Sequence, residues 1–353
     1  MQSEDPLLLE VRREHVLMDA IAIIRYSQED LHNPLQIKFC GEQGVDVGGL
    51  RREFWSLFLY QLSHSIFVTG KEGRLSFQPN FLERKKNTFF HLGQLVALSI
   101  LQDGPGAPIF SECITDYILN GKSNSLDPDD LMEGPKEILE KMATCSSEDE
   151  LQQQYMTITD YATDAGFLLP VRRFTEKHVP TLQACLIENQ VVSCKEELDQ
   201  FIKGLDTHQL ISALQQEGTR EKCRGLFSGK IKPVTAAAIR QLLKFKYTDG
   251  NKRQQEMVTG QGFLTFLQAT KGSGATVNGI NLKPKDVLMW LTGATHIPAC
   301  GFHKSIDVEF GSTTNINTCA LCLTLEVKES MTLDEAVTYY TELLINSQTF
   351  SKE

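Results

Sequence analysis

The spacing of apolar residues changes character once along the chain, and that change limits the fold more than any single motif. From about Phe54 to Phe245 apolar residues recur mainly at helical intervals, as in Phe54-Trp55-Ser56-Leu57-Phe58, Phe89 to Leu101 and Leu210 to Leu214. A polar, glycine-bearing run follows at Tyr247-Thr248-Asp249-Gly250-Asn251-Lys252. Beyond it Ile306, Val308 and Phe310 alternate with polar neighbours, and Leu321, Leu323, Leu325 and Val327 alternate again. Period two is the signature of a strand with one buried face. At 353 residues the chain also exceeds one compact core and fits two or three domains. The expected fold is therefore α+β and two-lobed. A mainly helical N-terminal lobe spans 1–246, and a small α/β C-terminal lobe spans 247–353, with a hinge near Tyr247.

Local signals fill in this outline. Val11, Leu17, Met18, Ile21 and Ile24 predict an amphipathic helix over Glu10–Arg25. Pro34 ends that pattern, and Leu35, Ile37 and Phe39 alternate as in a half-buried strand. Gly104-Pro105-Gly106 and Ser123 to Asp130 read as loops, as does the Gly/Ser-rich run Lys271 to Gly279. A short helix is expected over Lys285–Leu291, so the second lobe should hold two strands and two helices. The last helix has the strongest signal: Thr332 and Glu335 form a capping box, and Leu333, Ala336, Val337, Tyr340 and Leu344 mark its apolar face.

Charge and cysteine usage narrow the function classes. With 35 Lys+Arg against 45 Asp+Glu the net charge is −10, which argues against a phosphate backbone as partner, since such a site needs a basic stripe. The start, MQSEDPLLLEVRREH, lacks the basic flank and apolar run of a secretory signal, and no segment reaches the roughly 18 uninterrupted apolar residues of a membrane span. Nine scattered cysteines in such a chain are expected to be reduced thiols. A soluble protein of the cytoplasm or nucleus is expected, with neither a nucleic-acid nor a membrane partner.

Two constellations could carry chemistry. Cys319-Ala320-Leu321-Cys322 invites a zinc or dithiol reading. Zinc needs two further ligands, and Cys300 with His296 or His303 offers no second clean pair. On a strand the two sulfurs would point apart, Cys319 with Leu321, Leu323 and Leu325, Cys322 with Thr324 and Glu326, which disfavours a redox pair. Neither a metal nor another cofactor is expected. Cys319 follows the polar run Gly311 to Thr318, so it stands at a loop-to-strand junction that a large partner can reach, or else is a small residue closing a turn. The second constellation is Glu42 to Phe54, where Gly48-Gly49 precede a helix. They either admit an anion to the helix start or make a tight turn. No Gly-Lys-Ser/Thr follows them, so this is not a phosphate loop. H-E-x-x-H and G-x-S-x-G are absent from the sequence.

In order, these segments resemble the catalytic domain of HECT-type ubiquitin ligases over nearly the whole chain. The resemblance rests on Val11-Arg12-Arg13-Glu14-His15, Leu35-Gln36-Ile37-Lys38-Phe39, the Gly44 to Phe54 run, Phe77-Gln78-Pro79-Asn80 and Phe89 to Leu98. It continues through Leu291-Thr292-Gly293-Ala294-Thr295-His296-Ile297-Pro298, Gly301-Phe302, Thr318-Cys319 with Leu323 and Leu325, and Phe350, the fourth residue from the end. Within that family the chain looks like a divergent member, related to the G2/M-phase-specific ligase.

The resemblance implies a HECT-like bilobal fold. Its N-terminal lobe docks a ubiquitin-conjugating enzyme through a subdomain at about 120–195, and its C-terminal lobe carries the nucleophile. That nucleophile falls on Cys319, with Asn317, Thr318 and Phe350 in support. Cys319 would accept ubiquitin from the conjugating enzyme as a thioester and pass it to a lysine of a protein substrate. The implied partners are thus ubiquitin, the conjugating enzyme and the substrate. Three positions depart from the family pattern: Asn317 where many members have His, Ala320 where Phe is frequent, and Glu326 where Pro is usual. The alternative is a HECT-like module that binds ubiquitin or a partner without transferring anything.

Overall fold

Leu7, Leu9 and Val11 are buried while Leu8 and Glu10 face outward, and this alternation makes Leu7–Val11 a strand. It pairs in parallel with Leu35–Phe39, whose Leu35, Ile37 and Phe39 are also buried. The structure, a computed structural model, describes residues 6–349 apart from 28–30, 43–47, 124, 126, 217, 231–233, 272–274 and 278–279. The helix expected from Glu10 begins later, as Val16–Tyr26, because Glu10 and Val11 are held in the strand ladder. Its buried face is Val16, Leu17, Ala20, Ile21 and Ile24, and Met18 lies outside.

The first unit is mainly helical, as the apolar spacing predicts. Its longer helices are Gly49–Ser63, Thr88–Leu101, Glu112–Asn120, Glu133–Met142, Glu148–Asp164, Val179–Ser193 and Lys195–Leu205. A hairpin, Val68–Lys71 with Arg74–Phe77, interrupts them and was not foreseen. Phe77 lies at the centre of the core, with ring centroids 5.4 Å from Phe89 and 5.1 Å from both Phe110 and Phe201. The helices Thr88–Leu101 and Lys195–Leu205 meet backbone to backbone. A Cβ on Gly93 would stand 2.1 Å from the Phe201 carbonyl oxygen, and one on Gly204 would stand 1.8 Å from that of Phe90. Glycine is required at both places by space alone.

The second unit is built on a mixed four-stranded sheet. Ile306–Gly311 runs parallel to Leu243–Phe245 on one side and to Cys322–Glu326 on the other, and Asn315–Asn317 pairs antiparallel with Cys322–Glu326. Helices Arg253–Ala269, Pro284–Thr292 and Leu333–Thr349 cover it, so the unit is richer than the two strands and two helices expected. The capping box forms as predicted: Thr332 N–H donates to Glu335 Oε2 at 2.8 Å, and Glu335 N–H to Thr332 Oγ1 at 3.3 Å. The fold is α+β.

Two separate hydrophobic cores result. Phe227 is the last residue of the first, and the second begins at Ala236 and Ile239. The run at Tyr247–Lys252, expected as the hinge, therefore lies between elements of the second core. Tyr247 stacks between Phe245 and Phe310, and Thr248 donates to Glu256 from both its backbone N–H (2.7 Å) and its hydroxyl (2.6 Å). Among the described residues no helix is long and apolar enough to cross a membrane.

Candidate active site

Asn317 and Cys322 face each other at the end of an antiparallel ladder, and the chain turns between them through Thr318, Cys319, Ala320 and Leu321. Three features fix this turn. Asn317 Oδ1 accepts from Ala320 N–H at 2.9 Å, Leu321 N–H reaches the Thr318 carbonyl at 3.4 Å, and Leu321 adopts φ 47°. A left-handed leucine costs about 1–2 kcal/mol. Burial of a whole leucine side chain contributes about 1.5–3 kcal/mol, and Leu321 is fully buried in the second core. The leucine thus anchors the turn.

Cys319, two residues before Leu321, is half-buried and unpaired with any other cysteine. It was expected in phase with Leu321, Leu323 and Leu325 at the head of a strand. The strand begins instead at Cys322, and Cys319 belongs to the turn. Burial, then the carboxylates of Glu309 and Asp307, push the Cys322 thiol up. Burial pushes Cys113 and Cys194 up to about 12. Among the described residues no three His, Cys, Asp or Glu side chains gather where they could hold a metal ion.

The Gly48-Gly49 start of the helix Gly49–Ser63 meets this turn. Gly48 is the N-cap and takes φ 107°, a left-handed conformation that only glycine adopts without strain. Gly49 has no such need, yet a Cβ on it would stand 2.7 Å from Cys319 Sγ and 2.8 Å from Thr318 Oγ1. Three residues on, Arg52 is 1% exposed. Its Nε donates to the Thr292 carbonyl at 2.8 Å and its Nη2 to the Thr318 carbonyl at 2.7 Å. The guanidinium carbon lies 5.9 Å from the centre of the Phe302 ring. One turn further, Ser56 Oγ accepts from Thr295 N–H at 3.0 Å. Behind this face Arg13 bonds both Glu42 and Glu53, and its guanidinium draws the Glu42 carboxyl below the usual carboxylate range.

Of the residues singled out from sequence, Asn317, Thr318 and Cys319 come together at the turn, and Gly49 meets them from the other unit. Phe350 lies outside the described residues. Arg52 and Ser56 were missed. The available signal was their spacing from Gly49, which puts all three on one face of a helix. His296, next to Thr295, is mostly enclosed, and burial lowers its imidazole below the ordinary value.

No family model matches the chain. A G2/M phase-specific E3 ubiquitin-protein ligase of Gallus gallus is 24% identical over 310 residues, covering 86% of this chain and 40% of that protein. An E3 ubiquitin-protein ligase TOM1-like of Neurospora crassa is 27% identical over 229 residues, 58% of this chain and 5% of that protein. A probable E3 ubiquitin-protein ligase HUL4 of Eremothecium gossypii is 40% identical over 72 residues, 20% of this chain and 9% of that protein. The chain thus spans less than half the length of each of these relatives. Over most of its length, this chain is a relative of proteins named E3 ubiquitin-protein ligases.

Proposed function

We propose that this chain is the transfer unit of a HECT-type ubiquitin ligase, active in the cytoplasm or nucleus, and that Cys319 carries the ubiquitin. The observation that supports this most is a half-buried, unpaired thiol in a turn anchored by the buried Leu321. In the first step the Cys319 thiolate attacks the carbonyl carbon of the thioester between ubiquitin and the conjugating enzyme. The tetrahedral adduct collapses, the conjugating enzyme's sulfur leaves as thiolate, and ubiquitin is now esterified to Cys319. In the second step a substrate lysine amine attacks the same carbon, an amide forms, the amine's proton departs to solvent or a base, and Cys319 leaves as thiolate. One thioester is exchanged for another in the first step, so orientation of the groups matters more than driving force.

The conjugating enzyme docks on the subdomain at about 120–195. Over its helices Glu133–Met142, Glu148–Asp164 and Val179–Ser193 and the segments beside them, Met132, Met156, Tyr161, Leu168 and Val192 are exposed apolar side chains, available to a protein partner. The competing reading, binding without transfer, draws on Asn317, whose side-chain oxygen is engaged with Ala320 N–H and is not placed to handle a proton.

Incubation with activating enzyme, a panel of conjugating enzymes and ubiquitin should yield an adduct that reductant removes. Cys319→Ala is expected to abolish it and Cys322→Ala to keep it. The reverse pattern would move the acceptor to Cys322, and no adduct with any conjugating enzyme would favour the binding module.

A further inference from the structure

We infer that Gly49 and Arg52 form a built seat for the Cys319 turn, and that Arg52 is a positioning residue for the second step, transfer to lysine. The inference rests on the reading of Cys319 as the ubiquitin acceptor. Residues 49, 52 and 56 recur at helical spacing on one face of Gly49–Ser63, and each of them touches the second unit.

The chemistry of each contact points to orientation more than to cohesion. An apolar side chain would hold two surfaces together at least as well as a buried guanidinium does. A guanidinium adds a rigid planar fork, and here its two arms reach carbonyls of two different segments, Thr292 and Thr318. That fixes the angle of the turn against the helix end. Gly49 supports the same conclusion independently. Its φ is not left-handed, so alanine, a far better helix former, suits its backbone. Glycine is needed there only because Cys319 Sγ and Thr318 Oγ1 occupy the space of a side chain.

Gly49 packs against one side of Cys319 Sγ. Lysine attack gains from an immobilised carbonyl, because a small nucleophile must meet it at a defined angle. Loading from a conjugating enzyme involves a large donor that brings its own orientation, so the seat matters less to that step.

The test compares wild type with Arg52→Ala, Arg52→Lys and Gly49→Ala in two assays. The first measures alkylation of Cys319 by N-ethylmaleimide, read by mass spectrometry, with exposed Cys40 as internal reference. This assay is independent of ligase activity. Arg52→Ala and Gly49→Ala should raise labelling of Cys319 by at least about threefold while Cys40 is unchanged. The second follows single-turnover loading and discharge to free lysine. Arg52→Ala should leave loading within about twofold and slow discharge about tenfold or more, so that the thioester accumulates. Arg52→Lys should restore discharge only in part, since one ammonium cannot match the fork. Equal labelling in wild type and variants would overturn the seat. Raised labelling with unchanged or faster discharge would overturn the positioning role and mark the contact as an idle lock. Absence of any wild-type thioester would sink the acceptor reading, and the labelling assay would still decide the seat.

Discussion

Gly48 and Gly49 are neighbours with different reasons to be glycine, and substitution should separate them. Gly48→Ala forces a left-handed alanine at the helix N-cap and is expected to cost about 1–2 kcal/mol, read as a fall in the denaturant midpoint of the first unit. Gly49→Ala keeps a backbone that alanine tolerates and should alter that midpoint by less than about 0.5 kcal/mol, its effect falling on the Cys319 turn instead. A second residue-scale expectation concerns His296. Burial, then the Lys285 charge, disfavours its imidazolium, so its folded-state pKa lies below the ordinary value of about 6.5. The unfolded chain therefore binds the proton more readily. The stability this group contributes is full above about pH 6.5 and is lost as pH falls below it. Melting temperatures of wild type and His296→Gln between pH 7.5 and pH 5 should show a steeper acid loss in wild type, and parallel curves would refute the effect. The polar run before Cys319 was legible in the sequence as a loop leading into a strand. Arg52 was not, since an arginine in the first turns of a helix ordinarily lies in solvent, and only the distant carbonyls of Thr292 and Thr318 make burial tolerable.

Among the elements, those with regular apolar spacing were legible and those packed through small or polar residues were not. The helix Arg253–Ala269 has the buried face Glu256, Thr259, Gly260, Gly262, Phe263, Phe266 and Leu267. Gly260 lies against Phe245 and Tyr247, and Gly262 against Met331 and Ala336, so close packing replaced the apolar stripe that would have announced a helix. Thr259 is buried because its hydroxyl accepts from Lys328 N–H at 2.9 Å. Leu7–Val11 escaped notice for the opposite reason: Leu8, apolar but exposed, hides the alternation. The crossing of Thr88–Leu101 and Lys195–Leu205 carries its own prediction. Gly93→Ala or Gly204→Ala places a methyl against a backbone carbonyl that no rotamer change can move, and should destabilise the first unit by about 3 kcal/mol. Urea titration followed by far-UV circular dichroism checks this, and a wild-type midpoint would mean the helices sit further apart.

At the scale of the molecule, two cores imply two cooperative units that touch through the Gly49–Ser56 face. Leu288→Ala, fully buried in the second core, should cost about 2–5 kcal/mol there. Hydrogen exchange should show the loss in Ile306–Gly311 and Cys322–Glu326, with protection of Thr88–Leu101 retained. Equal loss in both would indicate a single unit. The sequence by itself determined the segments with regular helical or alternating apolar spacing, where the last helix is capped, and which cysteine follows a polar run, because these follow from side chains a few positions apart. Only the tertiary structure decided that the polar run at Tyr247 lies inside the second unit, where Phe310 and Glu256 hold it. It likewise decided that Gly49 and Arg52 meet a turn some 266 residues later in the chain. Contacts of that range leave no local periodicity. They exist because two independently formed surfaces fit, and that fit is written in the shapes of both, not in either stretch of sequence.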